Sequence, residues 1–401
     1  MSKSKIKTVL VHGLTARVRD VWVETEDGPS LIRAGEFGSL FVEQDDVRWK
    51  EIQVRVRSAL TEANPPSRYK SRTAFVYGIP AGKDARVTVM DLPVAIAVAG
   101  ARSALEFTET RRIAAVGELS LGGEVRPVPG ILPMMLAAAR EGVEVMLIPD
   151  ANANETLWLP KDFPMKVVPV SSLWDALKFM CGEYDSVPMG ESKYPDPDEP
   201  PRMDEVRGQD KAKAEIKQAI ADGKSILLVG PPGAGKTMLA RRIYEFLPEM
   251  TEDMARESAC IVSATGLMRR DASPKSMRRP FRAPHHTVST AGLVGGGTQP
   301  RAGEVSLAHN GVLFLDEADE FSREALEKVA DARKREHVNL FRNERLYQMP
   351  SKFVLIGGVT TRPAPVMTGG VVETREHPRK ALLDALFDVT IEVPAVRLED
   401  L

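Results

Sequence analysis

KSILLVGPPGAGKTMLARRIYEFLP, residues 224–248, is the stretch whose reading decides the fold. Its apolar run from Ile226 to Val229 has the length and composition of a buried strand, and KTMLARRIYEFLP, from Lys236, reads as an amphipathic helix. Between them Gly230, Gly233 and Gly235 permit backbone angles and a close approach that a Cβ would block. Successive N–H groups of Gly230, Pro231, Pro232, Gly233, Ala234, Gly235, Lys236, Thr237 and Met238 (the two prolines excepted) then meet the positive end of a helix dipole, a cradle for polyphosphate. Lys236 is placed to reach the β- and γ-phosphates and Thr237 to ligate Mg²⁺. Strand, loop and helix in this order are the context a Walker A motif requires, so the expected ligands are ATP and Mg²⁺ on an α/β parallel sheet with helices on both faces.

Downstream by about eighty residues, NGVLFLDEADEF (310–321) supplies a second strand that ends on two acids. In that setting Asp316 is expected to hold Mg²⁺ and Glu317 to deprotonate the attacking water, whereas Asp319 and Glu320 read as a solvated turn. Upstream, DEVRGQDKAKAEIKQAIADG contains a helix that begins near Gly208 and Gln209, which places Val206 and the Gly208 backbone beside an adenine. Between the two motifs, LMRRDASPKSMRRPFR gathers Arg269, Arg270, Lys275, Arg278, Arg279 and Arg282 against one acid. The 268–282 segment reads either as a DNA-phosphate patch or as a solvated loop. In TVSTAGLVGGGTQPRAGEVSL, β-branched residues flank Gly295, Gly296 and Gly297, the composition of a hairpin tip. His285 and His286 lack a third ligand at suitable spacing and read as hydrogen-bonded structural residues rather than a metal site.

DSVPMGESKYPDPDEPPRM (185–203), with five prolines, reads as a stiff linker that separates residues 1–184 from 204–401. The first part alternates strands and helices. KTVLVHGL, TARVRDVWVET, TAFVYGI, ARVTVM and VEVMLIP read as strands, and Gly122-Gly123 as a hairpin turn. QDDVRWKEIQVRVRSALTEA spaces Val47, Ile52, Val56 and Leu60 along one helix face. Further helices start near Asp91 and at Ile131, the second stopped by Gly142.

At 401 residues the chain exceeds one ordinary core, and 43% hydrophobic with 27% charged residues is the composition of a globular protein. A net charge of −2 gives no global pull toward nucleic acid. Two cysteines, Cys181 and Cys260, form no disulfide framework, and the longest apolar run is less than half a membrane span, so the expected setting is cytoplasmic with no membrane partner.

Two family resemblances follow from these residues. GELSLGGEVRPVPGILPMMLAAAREGVEVMLIP resembles the proteolytic domain of Lon-type proteases. The resemblance puts Leu132 where that family has its lysine base and Pro93 near its serine nucleophile, so no protease activity is expected; Ser58, Ser71 and Ser120 read as ordinary hydroxyls. RRPFRAPHHTVSTAGLVGGGTQPRAGEVSLAHNGVLFLDE resembles, nearly residue for residue, the AAA+ module of the ComM/YifB branch of the magnesium-chelatase-subunit group, whose members also carry a Lon-like N-terminal domain. That resemblance implies a ring-forming ATPase, a hexamer in the family, with an inserted hairpin facing its pore and a role in DNA remodelling of the branch-migration type.

The chain departs from that pattern at three places. Thr360, in KFVLIGGVTTRPAP, stands where the family has an asparagine that positions water. Leu386 stands where it has an arginine that acts on a neighbour's ATP, with Arg375 and Arg379 as shifted substitutes. The sequence ends at Leu401, before the family's α-helical lid. Glu317, Lys236 and Thr360 are the expected catalytic residues, with slow hydrolysis. Three functions stay open: a DNA-remodelling motor, a chelatase-like remodeller of a protein partner, and a nucleotide-gated binding module.

Overall fold

The computed structural model describes residues 2–34, 46–63, 72–80, 87–102, 112–184, 202–269, 271–274, 277–297, 300–342, 345–361 and 380–395. The linker expected at 185–203 therefore lies outside the described residues except for Arg202 and Met203. No helix of the described residues is long and apolar enough to cross a membrane.

Two compact units form. The first comprises Met1–Pro195 with Ala259–Lys275 and Thr298–Pro300, and the second Asp196–Ser258, Ser276–Gly297 and Arg301–Leu401. No single cut in the chain separates them.

The first unit contains β1 (Ser2–His12), β2 (Thr15–Asp27), β3 (Ile32–Ala34), α1 (Val47–Glu62), β4 (Arg72–Tyr77), α2 (Asp91–Arg102), β5 (Ile113–Ala115), β6 (Glu118–Leu119), β7 (Val125–Arg126), α3 (Ile131–Arg140), β8 (Val145–Pro149), β9 (Lys166–Val170) and α4 (Leu173–Met180). Seven strands make one mixed sheet in the order β3-β4-β2-β1-β5-β8-β9. Alternation of Val21, Val23 and Thr25 buries one face of β2, whereas β8 is apolar almost throughout, as a parallel strand covered on both faces must be.

Two expectations for this unit are corrected. Val47 is 69% exposed; Asp46 caps α1 through the Arg48 N–H, which leaves Val47 in the first turn, and the buried stripe is Trp49, Ile52, Val56, Ala59 and Leu60. Val87–Met90, expected as a strand, is a 3-10 turn running straight into α2. Gly117 donates to the Val89 carbonyl and Leu92 donates back to Gly117, so the backbone of this β-branched run is held by hydrogen bonds outside any ladder.

Where the protease resemblance points, both signature positions are buried apolar residues, Pro93 and Leu132. Beside Pro93, the Asp91 carboxylate takes two bonds from Arg55 (2.6 and 3.1 Å) and one from the Leu119 N–H (3.0 Å). Ser58 donates to the Leu121 carbonyl and Ser120 accepts from the Glu124 N–H, both in turn packing; Ser71 lies outside the described residues.

The second unit and the helix shared with the first hold α5 (Asp210–Ala221), β10 (Ile226–Gly230), α6 (Lys236–Arg242), α7 (Glu252–Thr265), β11 (Phe281–Arg282), α8 (Thr290–Val294), β12 (Gly295–Gly296), β13 (Arg301–Ala302), α9 (Glu304–Leu307), β14 (Gly311–Leu315), α10 (Arg323–Arg335), β15 (His337–Arg342), β16 (Arg345–Pro350), β17 (Phe353–Thr360), α11 (Lys380–Leu386) and β18 (Val389–Glu392). Five parallel strands run β11-β14-β17-β10-β18, so the first strand in the chain sits between the fourth and the fifth. That reversal of order opens a crevice at the strands' carboxyl ends. Phe314, Ile356, Leu228 and Ile391 from four neighbouring strands share one core cluster with Leu239 of α6.

The helix after the Walker A loop is shorter than expected, because α6 gives way at Ile243–Phe246 to a 3-10 turn. The residues before the three glycines form α8 rather than a strand. Ser289 caps that short helix, and the hairpin β12–β13 is only two residues deep.

Candidate functional site

Every residue of β14 is buried, so its chain must emerge at the carboxyl end, and Asp316 is the first residue to do so. Pairing of Leu315 with Gly357 and of Thr360 with Gly230 brings Asp316, Thr360 and the loop after β10 to one edge of the sheet. Thr360 is half-buried there, and the Thr361 N–H donates to the Gly230 carbonyl (3.1 Å).

The loop itself turns on Gly233 (φ 76°) and Gly235 (φ 93°), both in the left-handed region that favours glycine. Lys236 is buried, and its Nζ donates to the carbonyls of Gly230 (2.8 Å) and Pro231 (3.0 Å). Burial holds the ammonium below its usual pKa, with Asp316 pulling the other way. Thr237 donates its hydroxyl to Asp316 Oδ2 at 3.1 Å. A hydroxyl beside a carboxylate is the donor set a Mg²⁺ ion takes, and a buried ammonium satisfied only by loop carbonyls has a natural exchange partner in phosphate oxygens.

Other expected residues divide. Pro232, Gly233 and Met238 are exposed, Pro231 and Gly235 half-buried, and Ala234 is buried in the core cluster. Val206 is buried in that cluster too, beside the turn where Gly208 and Gln209 both take positive φ. Gln209 reaches Ala234's carbonyl with its side-chain amide (3.4 Å), tying this turn to the glycine-rich loop after β10. Asp319 is half-buried and Glu320 exposed.

Three of the expected DNA-facing cations already have partners. Arg269 pairs with Asp271, Arg282 with Glu304 (2.6 and 2.7 Å), and Arg279 donates to the carbonyls of Pro248 and Asn310. Arg278 is exposed, while Arg270 and Lys275 lie outside the described residues. Leu386 is 4% exposed, and its carbonyl accepts from Ser225 Oγ (3.1 Å). Arg375 and Arg379 lie outside the described residues.

Two contacts near the expected site residues escape sequence reasoning. Arg333 on α10 reaches Asp388 (2.6 Å), just beyond Leu386. Burial would raise that carboxyl, but hydrogen bonds from Ser225 and Arg333 hold it below the usual range. Meanwhile His286 Nδ1 lies 3.0 Å from Glu317 Oε2. Parallel pairing of β11 and β14, with Arg282 opposite Leu313, lets the chain leave both strands at the same edge of the sheet. Among the described residues no cluster of three or more histidines, cysteines or acids is arranged to hold a metal.

Comparison with known proteins gives two family matches: magnesium chelatase subunit ChlI over residues 202–386, and subunit ChlI of Mg-chelatase over residues 40–152. The chain is similar to competence protein ComM of Haemophilus influenzae, 34% identical over 359 residues, covering 86% of this chain and 69% of that one. It is also similar to the uncharacterized protein YifB of Escherichia coli, 32% identical over 98% of this chain and 76% of the relative. A Lon protease of Neorickettsia sennetsu is 34% identical over 21% of this chain and 10% of its own.

Proposed function

The chain belongs to the ComM/YifB group of magnesium-chelatase-like AAA+ proteins, and from that premise we propose that it is a Mg·ATP-dependent ATPase that remodels DNA. The observation that carries the reading is the contact between Thr237 and Asp316, set at the mouth of a loop whose lysine is buried. Mg·ATP supplies the phosphorus centre and the charge neutralisation on its oxygens. The chain supplies the rest. Backbone N–H groups from Gly233 to Thr237 take the phosphate oxygens, Lys236 moves from loop carbonyls to phosphate, and Thr237 with Asp316 holds the ion. Glu317 accepts a proton from water, and Thr360 hydrogen-bonds at the γ-phosphate end.

A donated arginine is worth about 10³–10⁵ in rate in this chemistry. Leu386 offers no guanidinium, so turnover by the chain alone is expected to be slow. The DNA half of the reading rests on family membership, on the competence protein among the relatives, and on the exposed Arg278.

Calorimetric titration with Mg·ATP tests the nucleotide half: uptake is expected in the wild type and its loss in Lys236→Ala, whereas no uptake by the wild type sinks the reading. A DNA titration across salt concentrations, with a non-hydrolysable ATP analogue, tests the other half. Salt-sensitive binding supports the DNA motor. Nucleotide-driven assembly without DNA affinity or turnover supports a nucleotide-gated module instead, the reading that buried Leu386 favours.

A further inference from the structure

At the amino ends of the parallel strands, the edge opposite the glycine-rich loop, lies a cavity of about 720 Å³. Its walls come from Gly311 at the start of β14, Phe353 and Val354 at the start of β17, and Leu386 just before β18. β14 is five residues long, and at about 3.3 Å per residue it separates the cavity from Asp316 by roughly 16 Å. A ligand seated here is therefore not one held by the loop that Lys236 closes.

Four cations line this cavity against one acid, Glu336: Arg279 before β11, Arg333 and Lys334 in the last turn of α10, and Lys352 before β17. They come from three separate parts of the chain, so no run of basic residues announces them. Arg333 is neutralised by Asp388 (2.6 Å), and it and Lys334 suit the carbonyl end of α10. Arg279 and Lys352 serve no helix end. Arg279 is half-buried and donates only to carbonyls, those of Pro248 (3.0 and 2.7 Å) and Asn310 (2.6 Å). Burial lowers its pKa, and no carboxylate pulls the other way. A guanidinium carries five N–H donors, so two of Arg279's remain after these three bonds. Lys334 and Lys352 are exposed, and among the described residues neither forms an ion pair. A half-buried cation without a counter-charge is costly, and an anion that enters relieves the cost.

We propose that this cavity is a second ligand site, which takes a small phosphorylated molecule with its phosphate against Arg279, Lys334 and Lys352 and with Phe353, Val354 and Leu386 as the apolar wall. Phosphate fits better than a single carboxylate, because its oxygens point in several directions and accept from cations that approach from different elements. The volume falls within the range of about 300–1,000 Å³ usual for small-molecule sites, wide enough for a nucleotide and too narrow for a DNA duplex. The site stands whether or not the loop after β10 turns over ATP.

The test is protection of lysines from an amine-acylating reagent, read by mass spectrometry on the full chain at constant ionic strength. Near-saturating inorganic tripolyphosphate is expected to slow labelling of Lys334 and Lys352 about tenfold by mass action, and to leave the exposed Lys211 of α5 alone. Lys236→Ala is expected to change none of this, which separates the cavity from the loop after β10. Lys352→Glu, at an exposed position, is expected to raise the tripolyphosphate concentration that protects Lys334 by about tenfold or more, since a hydrogen bond to a charged group is worth at least that. Its Mg·ATP uptake is expected to stay unchanged. Protection of Lys334 by ATP in the Lys236→Ala chain assigns the phosphate to a nucleotide, and protection by tripolyphosphate but not ATP assigns it to a smaller ligand; either result supports the site. No protection overturns it, as does protection that vanishes in Lys236→Ala, survives intact in Lys352→Glu, is matched by citrate, or comes from a short DNA duplex alone. Protection in a chain that takes up no Mg·ATP removes the ATPase reading and leaves this site in place.

Discussion

At Gly230 a Cβ would stand 2.0 Å from the Val393 carbonyl oxygen, so no other residue fits where the phosphate loop leaves β10. Gly142 differs: its φ is 76° but nothing lies within 4 Å of the Cβ position. Gly230→Ala is therefore expected to lower unfolding stability by about 1–3 kcal/mol and to weaken Mg·ATP uptake with it. Gly142→Ala is expected to cost about 1 kcal/mol of backbone strain and leave uptake alone. Denaturant melts paired with nucleotide titrations check both. The phosphate loop is legible in the sequence because its chemistry is local: strand, glycines, lysine and hydroxyl are consecutive. Glu317 was legible as an acid after a strand, but its partner was not. His286 reaches it only through parallel pairing of two strands, one of them two residues long, and no periodicity records that.

Among the elements, the joint of α7, β14 and β17 shows how a buried side chain ties helices to a sheet. His309 accepts from the Lys352 N–H at Nδ1 (3.1 Å), so its proton sits on Nε2, facing Glu257 (3.3 Å). Burial lowers its pKa, and Lys352 adds to that; Glu257 and Glu336 pull the other way without reversing it. The folded state thus binds fewer protons than the unfolded chain as pH falls below the ordinary histidine value of about 6.5, and stability falls with it. The second unit is expected to melt at lower temperature at pH 5 than at pH 7, and His309→Gln to reduce that difference. Calorimetric melts at the two pH values decide it. Element types were readable where burial is one-sided, as in the stripe of α1, or total, as in β14. They were unreadable at Val87–Met90, where β-branched composition promised a strand and contacts with Gly117 made a turn. Propensity is a weak prior once distant backbone groups supply the hydrogen bonds.

On the scale of the whole molecule, the proline-rich linker suggested one cut, but the first unit is completed by Ala259–Lys275 from far along the chain. The cause is a buried acid. Glu155 is gripped by the Leu132 N–H (2.8 Å), Asn152 (2.8 Å) and the Ser263 hydroxyl (2.6 Å), while Ser263's carbonyl accepts from the Gly130 N–H (2.8 Å). Burial raises the Glu155 pKa against those three donors. A hydrogen bond to a charged group is worth about 1.5–3 kcal/mol, so Ser263→Ala is expected to destabilise the first unit by that amount. A fragment of residues 1–184 is expected to melt below the first unit of the intact chain, and equal melting would show that Ser263 contributes nothing. No local pattern marks a serine in the last turn of an amphipathic helix as the partner of an acid more than one hundred residues earlier. The same arrangement sets a schedule for biosynthesis. A ribosome adding about 5–20 residues per second emits Ser263 several seconds after α4 is finished, and through that interval the nascent chain carries a half-dressed carboxyl pocket that a chaperone can find.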